Sequence, residues 1–156
     1  MQRRAWVAAT SIGLSLMWAG SAVWAVGTDE GGPPGDPDFV AGKRAIEAKD
    51  WNAAIKALSS AALRDTRNAD IQNYLGYAHR QLGQMEKAFA YYEQALKLNP
   101  RHRGAHEYAG EAALIAGDLP RAQRHLAALD SICLLPCEEY DDLKAAIAAH
   151  LSKKVK

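Results

Sequence analysis

The chain has 156 residues, of which 49% are hydrophobic, and its 19 basic and 18 acidic residues give a formal net charge of +1. This balance excludes the strongly basic surface with which many proteins bind nucleic acid. The length suffices for one domain with a hydrophobic core. Alanine-rich segments punctuated by glycine and proline indicate helices, and no alternating run of Val, Ile or Thr indicates a strand.

The first 25 residues have the pattern of a secretory signal peptide. Arg3 and Arg4 make the start basic, and the segment from Ala5 to Thr28 carries no charge. Val23-Trp24-Ala25 places small residues where signal peptidase reads, so we expect cleavage after Ala25 and an exported, periplasmic protein without stable membrane insertion. The alternative is an N-terminal membrane anchor, because the uncharged run is long enough to span a bilayer.

After this segment, a leader and seven helices are predicted. Residues 26–36 are rich in Gly, Pro and Asp, which predicts a flexible leader. The helices are expected at about Pro37–Ala48, Trp51–Leu63, Ala69–Leu82, Met85–Leu98, Arg103–Ala116, Pro120–Leu129 and Glu138–Ser152. Four acidic residues open the last helix and lysines follow it, which suits the helix macrodipole.

Glycines and alanines recur in this helical region with a spacing of 34 residues: Gly42, Gly76 and Gly110, then Ala54, Ala88 and Ala122. A helix–turn–helix unit of this period cannot bury its apolar face alone, so its copies must stack. Glycine within a helix costs about 1 kcal/mol relative to alanine. We therefore expect each glycine to let the second helix of its unit approach closely, with the matching alanine facing it.

The unit at residues 69–102 resembles the tetratricopeptide repeat (TPR) family along its whole length. The matching residues are Leu75, Gly76, Gly83, Ala88, Tyr92, Ala95 and Pro100. The resemblance implies an all-α, right-handed α-solenoid with repeats at 35–68, 69–102 and 103–136 and a capping helix at 137–156. Lys49 stands where the first repeat should have its turn glycine. The ending resembles that of small exported bacterial TPR proteins with a Cys-x3-Cys segment.

The resemblance also implies a concave groove lined by the first helix of each repeat. Its mixture of apolar and charged residues suits a peptide or protein partner with apolar anchors. The predicted partner-binding residues are Phe39, Lys43, Ile46, Asn73, Tyr77, Arg80, Glu107, Glu111 and Leu114. Only Lys43, Asn73 and Arg80 in this set could grip a C-terminal carboxylate, which does not favour the family's carboxylate-clamp mode. The other interpretation is that these side chains form merely solvated faces.

Cys133 and Cys137 are the only cysteines, and they flank Leu134-Leu135-Pro136 before the last helix. In an oxidising compartment an even number of cysteines indicates a disulfide, which here would fix the angle of the last helix. Two alternatives stay open. The pair could be redox-active, or it could chelate Cu(I), since two thiolates at this spacing can bind a soft metal.

No pattern in the chain indicates catalysis. A nucleophile elbow, a P-loop and a plausible acid/base pair are all missing from the sequence. His102 and His106 are four residues apart but lack the glutamate of the zinc-protease pattern, so no metal site and no cofactor are predicted. The leading hypothesis is a non-enzymatic module that binds a peptide or protein. The alternatives are a thiol-redox or copper-handling protein and a self-assembling scaffold.

Overall fold

The computed structural model describes residues 35–154, so the predicted signal peptide and most of the predicted leader lie outside the described residues. Within that range there are seven α-helices and no strand. They are α1 (Pro37–Glu47), α2 (Trp51–Arg64), α3 (Ala69–Gln81), α4 (Met85–Leu98), α5 (Arg103–Ile115), α6 (Leu119–Ile132) and α7 (Glu138–Lys154). The helix that differs most from its prediction is α6, which continues past Leu129 until Cys133 caps it.

The helices form a right-handed α-solenoid of three helix pairs followed by a C-terminal helix. The pairs are α1 with α2, α3 with α4 and α5 with α6, and α7 packs on both helices of the third pair. The first helices of the pairs also contact one another directly, α1 on α3 and α3 on α5. These neighbouring helices therefore form one side of the solenoid.

Most of these helices begin at a side chain that accepts hydrogen bonds from free backbone N–H groups, the usual role of an N-cap. Asp50 accepts from Ala53 N at 3.0 Å, and Asp118 accepts from Arg121 N at 2.9 Å. At the start of α1, the Asp36 cap also accepts from the Arg64 guanidinium, which holds the pKa of Asp36 near 2. This link ties the beginning of α1 to the end of α2.

The turn inside each helix pair contains one residue in the left-handed backbone region. Gly83 has φ of 71° and Gly117 has φ of 78°, whereas the first pair places Lys49 there with φ of 57°. Glycine adopts this conformation without steric cost, whereas a residue with a Cβ adopts it at a steric cost. The first repeat therefore keeps the turn geometry of the others despite lacking their glycine.

The repeated helix glycines do permit close packing, but the side chains that they face differ from those predicted. A Cβ on Gly76 would lie 2.6 Å from Tyr92, and one on Gly42 would lie 2.6 Å from Leu58, rather than against Ala88 and Ala54. Both larger side chains stand one helical turn after the alanine and fill the space above the glycine. At Gly110 the nearest side chain is Leu143 of α7, so at all three glycines a side chain larger than the predicted alanine lies nearest.

The last helix completes the core of the third pair. Leu143 is fully buried and Ile147 nearly so, and they pack in one cluster with Leu129 of α6 and Ala113 of α5. In the part of the chain that the structure describes, no helix combines the length and the apolar character needed to cross a bilayer.

Candidate functional site

A row of aromatic rings crosses the side of the solenoid formed by α1, α3 and α5. The rings of Phe39 and Tyr74 have centroids 6.0 Å apart, and those of Tyr77 and Tyr108 are 5.0 Å apart. Trp51 approaches Tyr77 edge-on at 5.9 Å. Tyr74 and Tyr108 are 34 residues apart, so the repeat places them at equivalent positions of α3 and α5, whereas Phe39 and Tyr77 occupy other positions of their helices. Together the rings give this face an aromatic floor on α1, α3 and α5.

Two cations of the predicted site lie on this floor and are already engaged. The Arg80 guanidinium lies 5.2 Å from the ring centroid of Tyr77 and 5.5 Å from that of Tyr108, and it forms an ion pair with Glu111. Its side chain is only 8% exposed. The Lys43 ammonium lies 5.9 Å from the rings of both Phe39 and Tyr74. These contacts fit cation–π attraction, which holds both side chains against the face.

The structure brings most of the predicted groove residues together on α3 and α5. Asn73, Tyr77 and Arg80 lie on α3, and they are followed across the groove by Glu107 and Glu111 on α5. The other apolar residues of the predicted set belong to hydrophobic clusters. Phe39 is a buried member of the cluster of α1, α2 and α3, Ile46 packs against that cluster, and Leu114 is a buried member of the cluster of α5, α6 and α7.

A cavity of about 320 Å³ opens where the first turns of α3, α5 and α7 meet. Carboxylates from all three helices line it: Asp70, Glu107, Glu138, Glu139 and Asp142. Its other lining residues are Asn73, Tyr74, His102, Gly104 and Tyr108. We call this space the acidic cavity. Sequence reasoning missed the contribution of α7, because it related the acidic start of that helix only to the helix macrodipole.

Glu107 has the most perturbed carboxyl group in the acidic cavity. It is 9% exposed, and burial together with the nearby charge of Glu111 raises its pKa to about 8. Asp142 and Glu139 raise the pKa further, and Arg80 opposes them. A carboxyl group is neutral near pH 7 under these conditions, and a nearby cation would favour its ionised form.

A second cavity of about 400 Å³ lies further along the same groove, towards the ends of α5 and α7. Leu114 and Ile115 give it an apolar wall, and Arg80 and His150 each have a buried nitrogen atom, Nε and Nε2, without a hydrogen-bond partner. Ile115 is 61% exposed. We call this space the apolar cavity.

The two cysteines lie outside this groove, in the connection between α6 and α7. They form a disulfide bond, and Cys137 is buried. The enclosed Leu134 and Leu135 are exposed. The bond joins the end of α6 to the residue before α7, as the structural interpretation of the pair predicted.

The histidines singled out in the sequence have separate partners. His102 caps α5 through Nδ1, which accepts from Ala105 N, and its Nε2 lies 2.8 Å from an Asp70 oxygen. His106 contacts His125 and the Pro100 carbonyl oxygen instead. The two side chains therefore do not converge on a shared point.

Comparison with known proteins confirms tetratricopeptide repeats in this chain. One model described as tetratricopeptide repeat matches residues 69–102, and a second matches residues 90–130. No curated protein matches the chain.

Several solved structures share the solenoid. PcrH, in complex with the chaperone binding region of PopD, is 21% identical with a TM-score of 0.66, and the match covers 75% of this chain and 90% of that one. The TPR2B domain of yeast Sti1, in complex with pHsp70, is 19% identical with a TM-score of 0.63, covering 72% of this chain and 94% of that one.

MamA MSR-1 C2 is 21% identical with a TM-score of 0.57, and the match covers 61% of this chain. This chain spans about half of the length of MamA, since the match covers 55% of that chain. At these identities the likeness to all three structures shows the fold alone.

Proposed function

We propose that this tetratricopeptide-repeat protein is a non-enzymatic interaction module that holds a segment of a partner protein in the groove of α3, α5 and α7. The observation that carries the proposal is the pair of cavities, which open on one face with the aromatic row beside them. Concave sites on one face can hold the anchor side chains that dominate binding of a peptide segment.

The spacing of the cavities suits a polypeptide. Glu107 in the acidic cavity and Leu114 in the apolar cavity lie seven residues apart on α5, which is about 10 Å along a helix axis. An extended chain covers that distance in about three residues. A bound segment could thus place one side chain in each cavity, and its apolar anchor would contact Leu114 and Ile115.

The likeness to solved structures supports this use of the fold. PcrH was solved with the chaperone binding region of PopD, and the Sti1 domain was solved with pHsp70. Both structures are complexes with another protein or a region of one. The present chain has the same architecture over most of the length of those domains.

The experiment that tests the proposal is selection of a displayed random-peptide library on the full chain. Selected peptides should bind the wild-type protein and lose binding to Gly104→Trp, because a side chain at this position grows towards Asn73 at the floor of the acidic cavity. Gln94→Trp, on the exposed face of α4, should bind them normally. If selection yields no binding peptide, or if Gly104→Trp binds like the wild type, the proposal is wrong.

We further propose that the protein acts in the periplasm after cleavage behind Ala25. The segment at residues 1–25 supports export, and a disulfide suits an oxidising compartment. N-terminal sequencing of the mature protein should find a start near Val26. Recovery of residues 1–20 on protein from the membrane fraction would favour the anchor instead.

A further inference from the structure

The acidic cavity gathers more acidic than basic groups. Five acidic side chains line it, and its described lining residues include no lysine or arginine. The nearest ion pair of a lining residue, Glu139 with Arg103, has a separation of 3.5 Å and leaves Arg103 half-exposed. Surface pairs of this kind contribute little free energy.

Two acceptors in the cavity have no partner among the described residues. Asn73 is only 4% exposed, and its Oδ1 atom is buried without a hydrogen bond in that part of the chain. Glu107 is 9% exposed and its side chain makes no hydrogen bond or ion pair there, although its oxygens are not fully enclosed. Leaving a buried polar atom unsatisfied is unfavourable, so the fold alone gives no reason for the Asn73 oxygen.

The existing hydrogen bonds use only one acceptor of the cavity. Because Nδ1 of His102 accepts from Ala105 N, the ring proton is on Nε2, which donates to Asp70. This bond orients Asp70 at the rim of the cavity. It leaves the deeper acceptors, Asn73 and Glu107, available to a ligand.

The geometry favours an organic cation over a metal ion. No three His, Cys, Asp or Glu side chains of the described residues are close enough to bind one metal ion. The acidic side chains are instead spread around a space of about 320 Å³, and Tyr74 and Tyr108 add aromatic surface. Guanidinium has five N–H donors in a planar fork and stacks on aromatic rings.

We propose that the acidic cavity binds an arginine or lysine side chain of the partner segment, with Asn73 Oδ1 and the Glu107 carboxylate as its deepest acceptors. The inference rests on the proposed function, since it names the chemistry of one anchor of the bound segment. It predicts a partner with a basic residue placed about three positions from an apolar one if the segment is extended.

The electrostatics of Glu107 agree with this assignment. Burial and neighbouring carboxylates raise its pKa in the free protein. A bound cation would stabilise the carboxylate and lower that pKa, so binding should release a proton and strengthen as the pH rises. The charged or titratable groups that face Glu107 are Asp70, Tyr74 and Arg80 of α3, His102, Tyr108 and Glu111 of the α5 segment, and Glu138, Glu139 and Asp142 of α7.

The test uses two small probes, N-acetyl-arginine amide and its neutral analogue N-acetyl-citrulline amide. Each is titrated into the full chain at a pH above 8 while the NMR signals of the Asn73 side-chain amide are followed. We expect saturable shifts in the millimolar range with the arginine probe and about tenfold weaker binding of the citrulline probe. The Glu107→Gln substitution should weaken binding of the arginine probe by a similar factor.

Glu93→Gln is the matched control, because Glu93 is exposed and pairs with Arg121 on the other side of the solenoid. It should bind the arginine probe like the wild type. Equal shifts with both probes, no saturable shift with the arginine probe, or unchanged binding by Glu107→Gln would overturn the inference. If the probe test fails in one of these ways, but library peptides still bind the wild type and do not bind Gly104→Trp, the groove function stands without a basic anchor.

Discussion

Glu107 is the side chain whose burial is hardest to explain by stability alone. Its ordinary pKa is 4.5, and in the folded protein the pKa is about 8. Between these values the folded state binds more protons than the unfolded state. The favourable contribution of the neutral group is therefore complete below pH 4.5 and is lost as the pH rises through 8.

Replacing Glu107 by Gln should remove this pH-dependent loss. The variant should match the wild type near pH 5 and exceed its stability near pH 9 by about 1–3 kcal/mol, after allowance for solvent screening. Urea unfolding at the two pH values measures the difference. Glu93→Gln should show no such trend. If the difference in free energy of unfolding between Glu107→Gln and the wild type is the same at both pH values, this account of Glu107 is contradicted.

Gly76 gives a second prediction at the residue scale. A Cβ there would lie 2.6 Å from the fully buried Tyr92 ring. The Gly76→Ala substitution should therefore lower the free energy of unfolding by about 1–3 kcal/mol through overpacking, although alanine is the better helix former. Gly104→Ala is the matched change in an adjacent helix, where the nearest atom is 3.3 Å away at the end of a side chain. A Gly76→Ala protein as stable as Gly104→Ala would refute close packing at Gly76.

Lys49 should gain from a change to glycine. Its φ of 57° carries the steric cost that Gly83 and Gly117 avoid in the equivalent turns. Lys49→Gly should raise the free energy of unfolding by up to about 1 kcal/mol. Ala48→Gly, one residue earlier in the right-handed region, should lower it in the same denaturation experiment. The opposite order of the two variants would show that the turn is not strained at Lys49.

At the scale of helices, the sequence predicted the number and positions of the elements well because each has local determinants. The residue types at the starts and turns of the helices, together with the 3.6-residue periodicity, do not depend on distant contacts. The side chain that packs against each repeated glycine, by contrast, does depend on distant contacts. The 34-residue spacing predicted that Gly110 is equivalent to Gly42 and Gly76. The packing of α7 on α5 determines that Leu143 lies against Gly110.

The same limit applies to the candidate site. The family resemblance selected Asn73 and Glu107 as partner-binding residues, and this role stays a prediction. The acidic residues of α7 were not selected, because their position in the cavity depends on how the last helix packs. Tyr108 of α5 was not selected because it is not one of the groove positions that the resemblance implied. The available signal was four acidic residues within the first five positions of α7, but this pattern also fits a simple helix start.

The disulfide gives a prediction for α7. It links the end of α6 to Cys137, directly before α7, and its loop is short, so its contribution should be about 2 kcal/mol or less. Replacing both cysteines by Ser should speed amide exchange in α7 while leaving α1 to α4 nearly unchanged, since repeat arrays open locally at their ends. Unchanged exchange, combined with loss of copper binding or of thiol-oxidase activity, would instead support the metal or redox hypothesis.

At the scale of the whole solenoid, α7 does more than cover the last helix pair. It supplies one wall to both cavities, so the groove between α3, α5 and α7 has an acidic end and an apolar end. The ion pair of Arg80 with Glu111 lines the apolar cavity. This polarity should fix the direction in which a bound segment runs, because a basic anchor is compatible with only one end.

Hydrogen–deuterium exchange of the full chain with and without a library-selected peptide tests the groove most directly. The account predicts slower exchange in α3, α5 and α7 on binding, with little change in α2, α4 and α6. Protection confined to α2, α4 and α6, or binding without protection of α5 and α7, would contradict the claim that this groove is the binding surface.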